Sequence, residues 1–257
     1  MSPTDHNLPE GTCKNKRALL IGNGINQLDT SQSLSWGQLL AELKDRFSIQ
    51  VDLDNIFKPF PLAFDEILHQ KSGVNDFKNK LENLKINIRE FIESQLEGKI
   101  GYNEYHKKIM ELEYDDILTT NYDYSLQNSI ASEFADNKRS LAINRQEIKY
   151  SLKRGYRIPG MKSIVWHIHG EIMDTRTYRR DSGNYPEQSI LIGYQHYSDY
   201  LQKIQENISG ESGVQKIDKQ SLRVRLRNEQ KSPFWTDIFF THNLDIVGQG
   251  LDFSENH

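Results

Sequence analysis

The sequence predicts an α/β fold: a Rossmann-like, doubly wound parallel sheet with a smaller helical insertion module. Three observations predict it. Short apolar runs suited to buried strands fall at 17–21, 116–120, 164–168, 189–192 and 244–247. Four of the five pass at once into Gly or Asn, and helical patterns lie between them. The chemically unusual residues gather just past those runs, where open α/β sheets bind their ligands.

Taken in order, the run at 17–21 stops at Gly22-Asn23-Gly24, after which Leu39, Leu40, Leu43 and Phe47 share one helical face. Residues 52–68 hold Pro59 and Pro61 and read as loop and short helix. Phe77, Leu81, Leu84, Ile88 and Phe91 recur at spacings of four and three, a long helix ending near Gly98. These features set a helical insertion at about 50–113 within a single domain, 1–257. A helix is expected from about Tyr122 to Phe134. Residues 138–162 carry eight Lys/Arg against one acid, Glu147. They read as a solvated loop, with contact to nucleic-acid phosphates as the sharper alternative. Residues 201–232 read as an exposed helical excursion. The chain stops soon after 244–247, so the expectation there is a truncated end or a sheet edge covered by a partner.

Composition narrows the class. Apolar residues make up 36% and charged residues 26%, with 12 Tyr and 11 Phe, which is polar but too aromatic for disorder. A net charge of −4 gives no global pull toward nucleic acid. Cys13 is the single cysteine, which excludes an internal disulfide or a cysteine-based zinc module and suits a reducing compartment. No apolar stretch approaches the ~20 residues of a membrane span. Residues 1–16 lack the apolar run of a signal peptide. A cytoplasmic chain, off the membrane, is expected.

Four short motifs carry the chemistry. Gly22-Asn23-Gly24-Ile25-Asn26 closes a strand, and such a turn either cradles a phosphate or is only tight. A dehydrogenase fingerprint would need a third glycine, where Gln27 stands. Thr119-Thr120-Asn121-Tyr122-Asp123 suits either a sugar-binding cluster or an N-cap. His167 and His169 share a strand face ahead of Gly170, with His169 at the strand end and the better placed general base. His-x-His can also bind metal, but no third ligand completes a set, so none is expected. Gly248-Gln249-Gly250-Leu251-Asp252 repeats the strand-then-glycine pattern.

Together with Ser35-Trp-Gly-Gln-Leu-Leu40, these motifs, in this order, resemble the bacterial sirtuin-like family used in antiphage defence. The resemblance spans residues 17–252. It implies a Rossmann-like NAD site with a helical module, and hydrolysis of NAD to ADP-ribose and nicotinamide, NAD being substrate rather than resident cofactor. It implies Asn121 and His169 as catalytic residues. Gly22, Asn23, Gly24, Asn26, Thr120, Asp123, Gly170, Gly248, Gly250 and Asp252 follow as NAD-contacting positions. It implies self-assembly, or a complex with a HerA-type ATPase or another defence subunit. The cysteine zinc module of classical sirtuins is absent, and so is their Pro-Asp-Phe-Arg segment. Deacylation and ADP-ribosyl transfer are therefore the lesser expectation, as is a non-enzymatic NAD or ADP-ribose sensor.

Overall fold

The computed structural model describes residues 16–28, 34–53, 58–72, 91, 94, 101–131, 141–142, 151–171, 190–211, 219–228 and 234–249. Strand β1 (Arg17–Ile21) is aliphatic after an exposed Arg17, and its Ala18, Leu19 and Ile21 are buried, as a strand covered on both faces requires. It runs into a 3-10 turn, Asn23–Leu28, rather than directly into an α-helix. Helix α1 (Trp36–Phe47) starts where Ser35 and Gln38 cap each other reciprocally. Its Leu39, Leu40 and Leu43 are buried as the spacing predicts. Helix α2 (Phe60–Ser72) packs on it. That helix is longer than the sequence suggested, because Pro59 and Pro61 sit at its start, where a missing N–H costs nothing.

Helix α3 (Glu104–Met110), strand β2 (Asp116–Thr119) and the single turn α4 (Ser125–Asn128) follow. Next come β3 (Gly155–Arg157), β4 (Ile164–His167), α5 (Tyr194–Ser209) and α6 (Leu222–Arg227). A 3-10 turn, Trp235–Asp237, leads through α7 (Ile238–Thr241) to β5 (Asn243–Val247).

The sheet order is β3-β4-β2-β1-β5. β1 pairs in parallel with β2 and β5, and β2 with β4, so that Ile21 lies beside Thr119 and Val247, and Thr119 beside His167. One face, with Leu19, Ile21, Ile117 and Val165, packs on Ile109, Met110 and Leu126 of α3 and α4. The other, with Ala18, Leu118, Ile164 and Trp166, packs on Tyr200, Trp235 and Ile238. No described helix is long and apolar enough to cross a membrane.

Several expectations are corrected. The run at 189–192 is not a sheet strand: Ile190 makes one antiparallel bridge, to Gly170, and the Leu191 carbonyl is taken by the Tyr122 hydroxyl. The sheet is not all parallel, since β3, inside the basic stretch expected to be a loop, pairs antiparallel with β4. The helix from Tyr122 shrinks to α4 within the described residues, because the Asp123 carboxylate turns back to accept from Ser125 N (2.9 Å). The excursion at 201–232 is helical and largely exposed over its described residues, as expected, but it is also anchored. Arg225 is buried and forks onto Asp237 at 2.7 and 2.8 Å, with further bonds to Asn207. Of the long helix expected to end near Gly98, only Phe91 and Ser94 are described, and both are helical.

Candidate functional site

The carboxyl ends of β1, β2 and β4 meet at one edge of the sheet. Gly22 N donates to Val247 O (3.0 Å) and Gly24 N to Gly248 O (2.7 Å). A Cβ on Gly22 would lie 2.5 Å from Gly248 O and 2.7 Å from the Gln249 side chain; one on Gly24 would lie 2.7 Å from Gly248 O. The glycines of this turn are thus required by the close approach of the β1 and β5 ends. Their two N–H groups are committed to that approach, not free for a pyrophosphate. The Gln249 amide lies over Gly22 and donates to Thr120 Oγ1 (3.3 Å), so the protein's own side chain fills the notch.

Behind this turn lies a closed polar network. Asn26 Nδ2 donates to Asn23 Oδ1 (2.9 Å) and Asp123 Oδ2 (3.0 Å), while Asn26 Oδ1 faces His106 Nε2 (2.9 Å). Asn23 Nδ2 reaches Leu34 O (2.9 Å), and Asn103 ties His106 Nδ1 and Ile25 O into the set. Burial pulls the His106 pKa down against the opposing pull of Asp123, which favours the neutral ring, and its two nitrogens meet Asn103 and Asn26. Asn23, Asn26 and Asp123 therefore hold the loop that bears them.

Asn121 differs from its neighbours. It is 5% exposed. Its backbone N donates to Thr119 Oγ1 (3.0 Å), its backbone O accepts from His167 Nδ1 (3.2 Å), and its Nδ2 donates to Gly22 O (3.3 Å). Among the described residues its Oδ1 has no hydrogen-bond partner, although it is shut off from solvent. A buried acceptor left open costs about 1–3 kcal/mol, a cost a protein carries where a ligand or water supplies the donor.

The two histidines do not share a face. β4 ends at His167, and residues 168–169 form a turn that carries the second ring elsewhere. His167 is wholly buried against Tyr124 and Tyr156. His169, half-buried as a residue, has its ring edge-on to Tyr197 of α5 (5.4 Å between centroids), with Nδ1 3.4 Å from the Tyr197 hydroxyl. Burial pushes its pKa down to about 4, so it is a neutral acceptor at pH 7. Tyr122, next to Asn121, has its phenol held far above the ordinary range by burial and by Tyr197. Tyr197 thus links the β2 end to His169. Gly170 follows at φ 91°, a conformation that favours glycine. Gly248 sits at φ 69°, while Gly250 and Asp252 lie outside the described residues.

Sequence reasoning missed Gln249, His106 and the buried Glu171, whose carboxylate receives Tyr124 and Tyr156 hydroxyls (2.6–2.8 Å) and lies 3.5 Å from Arg154. An acid directly after an apolar strand and glycine was the available signal for Glu171. Among the described residues, no group of three His, Cys, Asp or Glu side chains could hold a metal ion. A shallow groove of about 560 Å³, lined by Arg157, Pro159, Gly160 and Met161, lies at the opposite end of β4. No protein-family model matches the chain, and neither does any curated protein.

Proposed function

We propose that the chain binds NAD beyond the carboxyl ends of β1, β2 and β4 and hydrolyses its nicotinamide–ribose bond. The observation that carries this reading is the open Oδ1 of Asn121, an acceptor aimed from a side chain whose other polar groups are all engaged. It suits a ribose hydroxyl or an attacking water. The reading takes the sheet as doubly wound: β2 and β4 extend to one side of β1 and β5 lies on the other, a switch of direction that marks ligand sites in such folds.

In the reaction, the C–N electron pair leaves with nicotinamide, water attacks the ribose anomeric carbon, and the products are ADP-ribose, nicotinamide and one proton. Asn121 holds the hydroxyl or water in line. His169, neutral at pH 7, receives the proton. Gly22 and Gly24 contribute by letting the β1 and β5 ends close up, and other donors take the pyrophosphate. The same reading makes the protein cytoplasmic, assembled with itself, a HerA-type ATPase or another defence subunit. The half-exposed Ile246 and Val247 on edge strand β5 support a neighbour on that side.

A second reading is favoured by one observation: His169 faces Tyr197, a geometry that suits a non-enzymatic NAD or ADP-ribose sensor. Nicotinamide release separates the two. Hydrolysis requires release by the wild type, with His169→Ala lowering turnover about 10²- to 10⁴-fold while NAD affinity stays within a few-fold. Tight NAD binding with no release by the wild type selects the sensor. Absence of binding to NAD and ADP-ribose by the folded protein overturns both.

A further inference from the structure

We propose that His167 is the positioning residue for Asn121, acting through one tautomer that anchors the Asn121 carbonyl and so aims Oδ1. The functional half of this inference rests on the reading of Asn121 as a ligand-binding group; the structural half does not. His167 Nδ1 lies 3.2 Å from Asn121 O, a carbonyl that can only accept, so Nδ1 carries the hydrogen. On the far side of the ring, Gln127 Nε2 lies 2.6 Å from His167 Nε2, and with the hydrogen on Nδ1 of a neutral ring the amide is the donor there. The Asn121 carbonyl thus sets the tautomer, with Nδ1 protonated and Nε2 bare.

The ring has little freedom to tilt. Tyr124 and Tyr156 meet it edge to face, at 5.4 and 5.8 Å between centroids. Both tyrosine hydroxyls are held by the one buried carboxylate of Glu171, itself beside Arg154. A buried pair of this kind is costly to break, so the clamp is stiff. Nothing in a simple apolar core needs this arrangement. Its end point is the backbone of a residue whose only unengaged polar atom is Oδ1. A shift of the Asn121 backbone would carry that oxygen with it.

Side-chain isosteres separate positioning from packing. Asn places an N–H near the Nδ1 position of histidine, whereas Gln places one near Nε2. The first measurement needs no variant. Long-range ¹H–¹⁵N spectra of the ¹⁵N-histidine-labelled full chain are expected to show His167 protonated at Nδ1 alone; protonation at Nε2 alone overturns the proposal, whatever the chain does with NAD. The second compares His167→Asn with His167→Gln. His167→Asn is expected to keep kcat for nicotinamide release within about 3-fold, while His167→Gln loses at least about 10-fold in kcat with KM little changed, the mark of lost alignment. In step, the Asn121 side-chain amide signals should move in His167→Gln and stay in His167→Asn. Equal kcat in the two folded variants overturns the positioning role. Wild-type protein that shows the Nδ1 tautomer but neither binds nor cleaves NAD overturns the NAD reading and, with it, the functional half.

Discussion

The two ends of the central sheet are built from similar residue types and use them in opposite ways. At the amino end, Arg17 bonds Asp245 and the Tyr114 hydroxyl, both at 3.0 Å, Lys162 pairs with Asp115 at 2.9 Å, and Trp166 Nε1 donates to Asp116 at 2.8 Å. Most of these groups are at the surface, and each has found a protein partner. At the carboxyl end the polar groups are buried, the histidines are neutral, and acceptors such as Asn121 Oδ1 and Gln127 Oε1 are left open among the described residues. Charge content does not mark the site; the open Asn121 Oδ1 counts because it stands at the carboxyl end of the sheet, where open α/β sheets bind their ligands.

Acid should expose the contrast most strongly. His106, His167 and His169 all have pKa values lowered by burial, His169 to about 4. The unfolded chain takes up these protons near pH 6.5, so below that pH it holds more protons than the folded one. The stability due to neutral burial is complete above about pH 6.5 and is lost as pH falls toward about 4. At the amino end the sign is the same but the window is lower. Hydrogen bonds from Tyr114 and Arg17 hold Asp245 below its ordinary value; for Asp115, burial works upward but Lys162 and Arg17 outweigh it. Those contributions are lost only as pH falls through and below about 3.9, the ordinary carboxylate range. Thermal melts from pH 7.5 to 4.5 should drop by roughly 5–10 °C. A flat profile over that range would assign the histidines to wetter surroundings.

Gly22→Ala comes next in size. Its Cβ would meet backbone at 2.5 Å, which cannot rotate away, so overpacking of about 1–3 kcal/mol is expected in denaturant titration. NAD affinity should fall with it, because the β1 and β5 ends separate. An unchanged midpoint would mean that the turn is looser than the contact implies.

The smallest effect belongs to the amino end. Arg17→Ala removes an exposed ion pair and should shift the melting temperature by less than about 2 °C. Nicotinamide release and NAD affinity should stay at wild-type values. A loss of turnover in this variant would erase the distinction between the two ends.

Much of the frame was legible in the sequence, because aliphatic runs ending in Gly or Asn encode strand ends directly. β1, β2, β4 and β5 lie within a residue of where the pattern put them. β3 was hidden because Gly155-Tyr-Arg157 is too short to show a period, and its pairing comes from β4. At the site, the positions of Asn121 just past β2 and of His169 shortly past β4 were readable. The partners were not: Gln249 over Gly22, Tyr197 on His169 and Gln127 on His167 are contacts between residues 28 or more positions apart. The shared face of the two histidines failed because alternation holds only while the strand continues, and β4 stops at His167.

The most direct test is a crystal structure of the His169→Ala chain with NAD bound. The nicotinamide ribose, or a water beside its anomeric carbon, is expected to donate to Asn121 Oδ1 at about 2.7–3.2 Å. NAD seated at the opposite end of β4, or seated at the carboxyl end with Asn121 Oδ1 still unpartnered, would contradict that expectation.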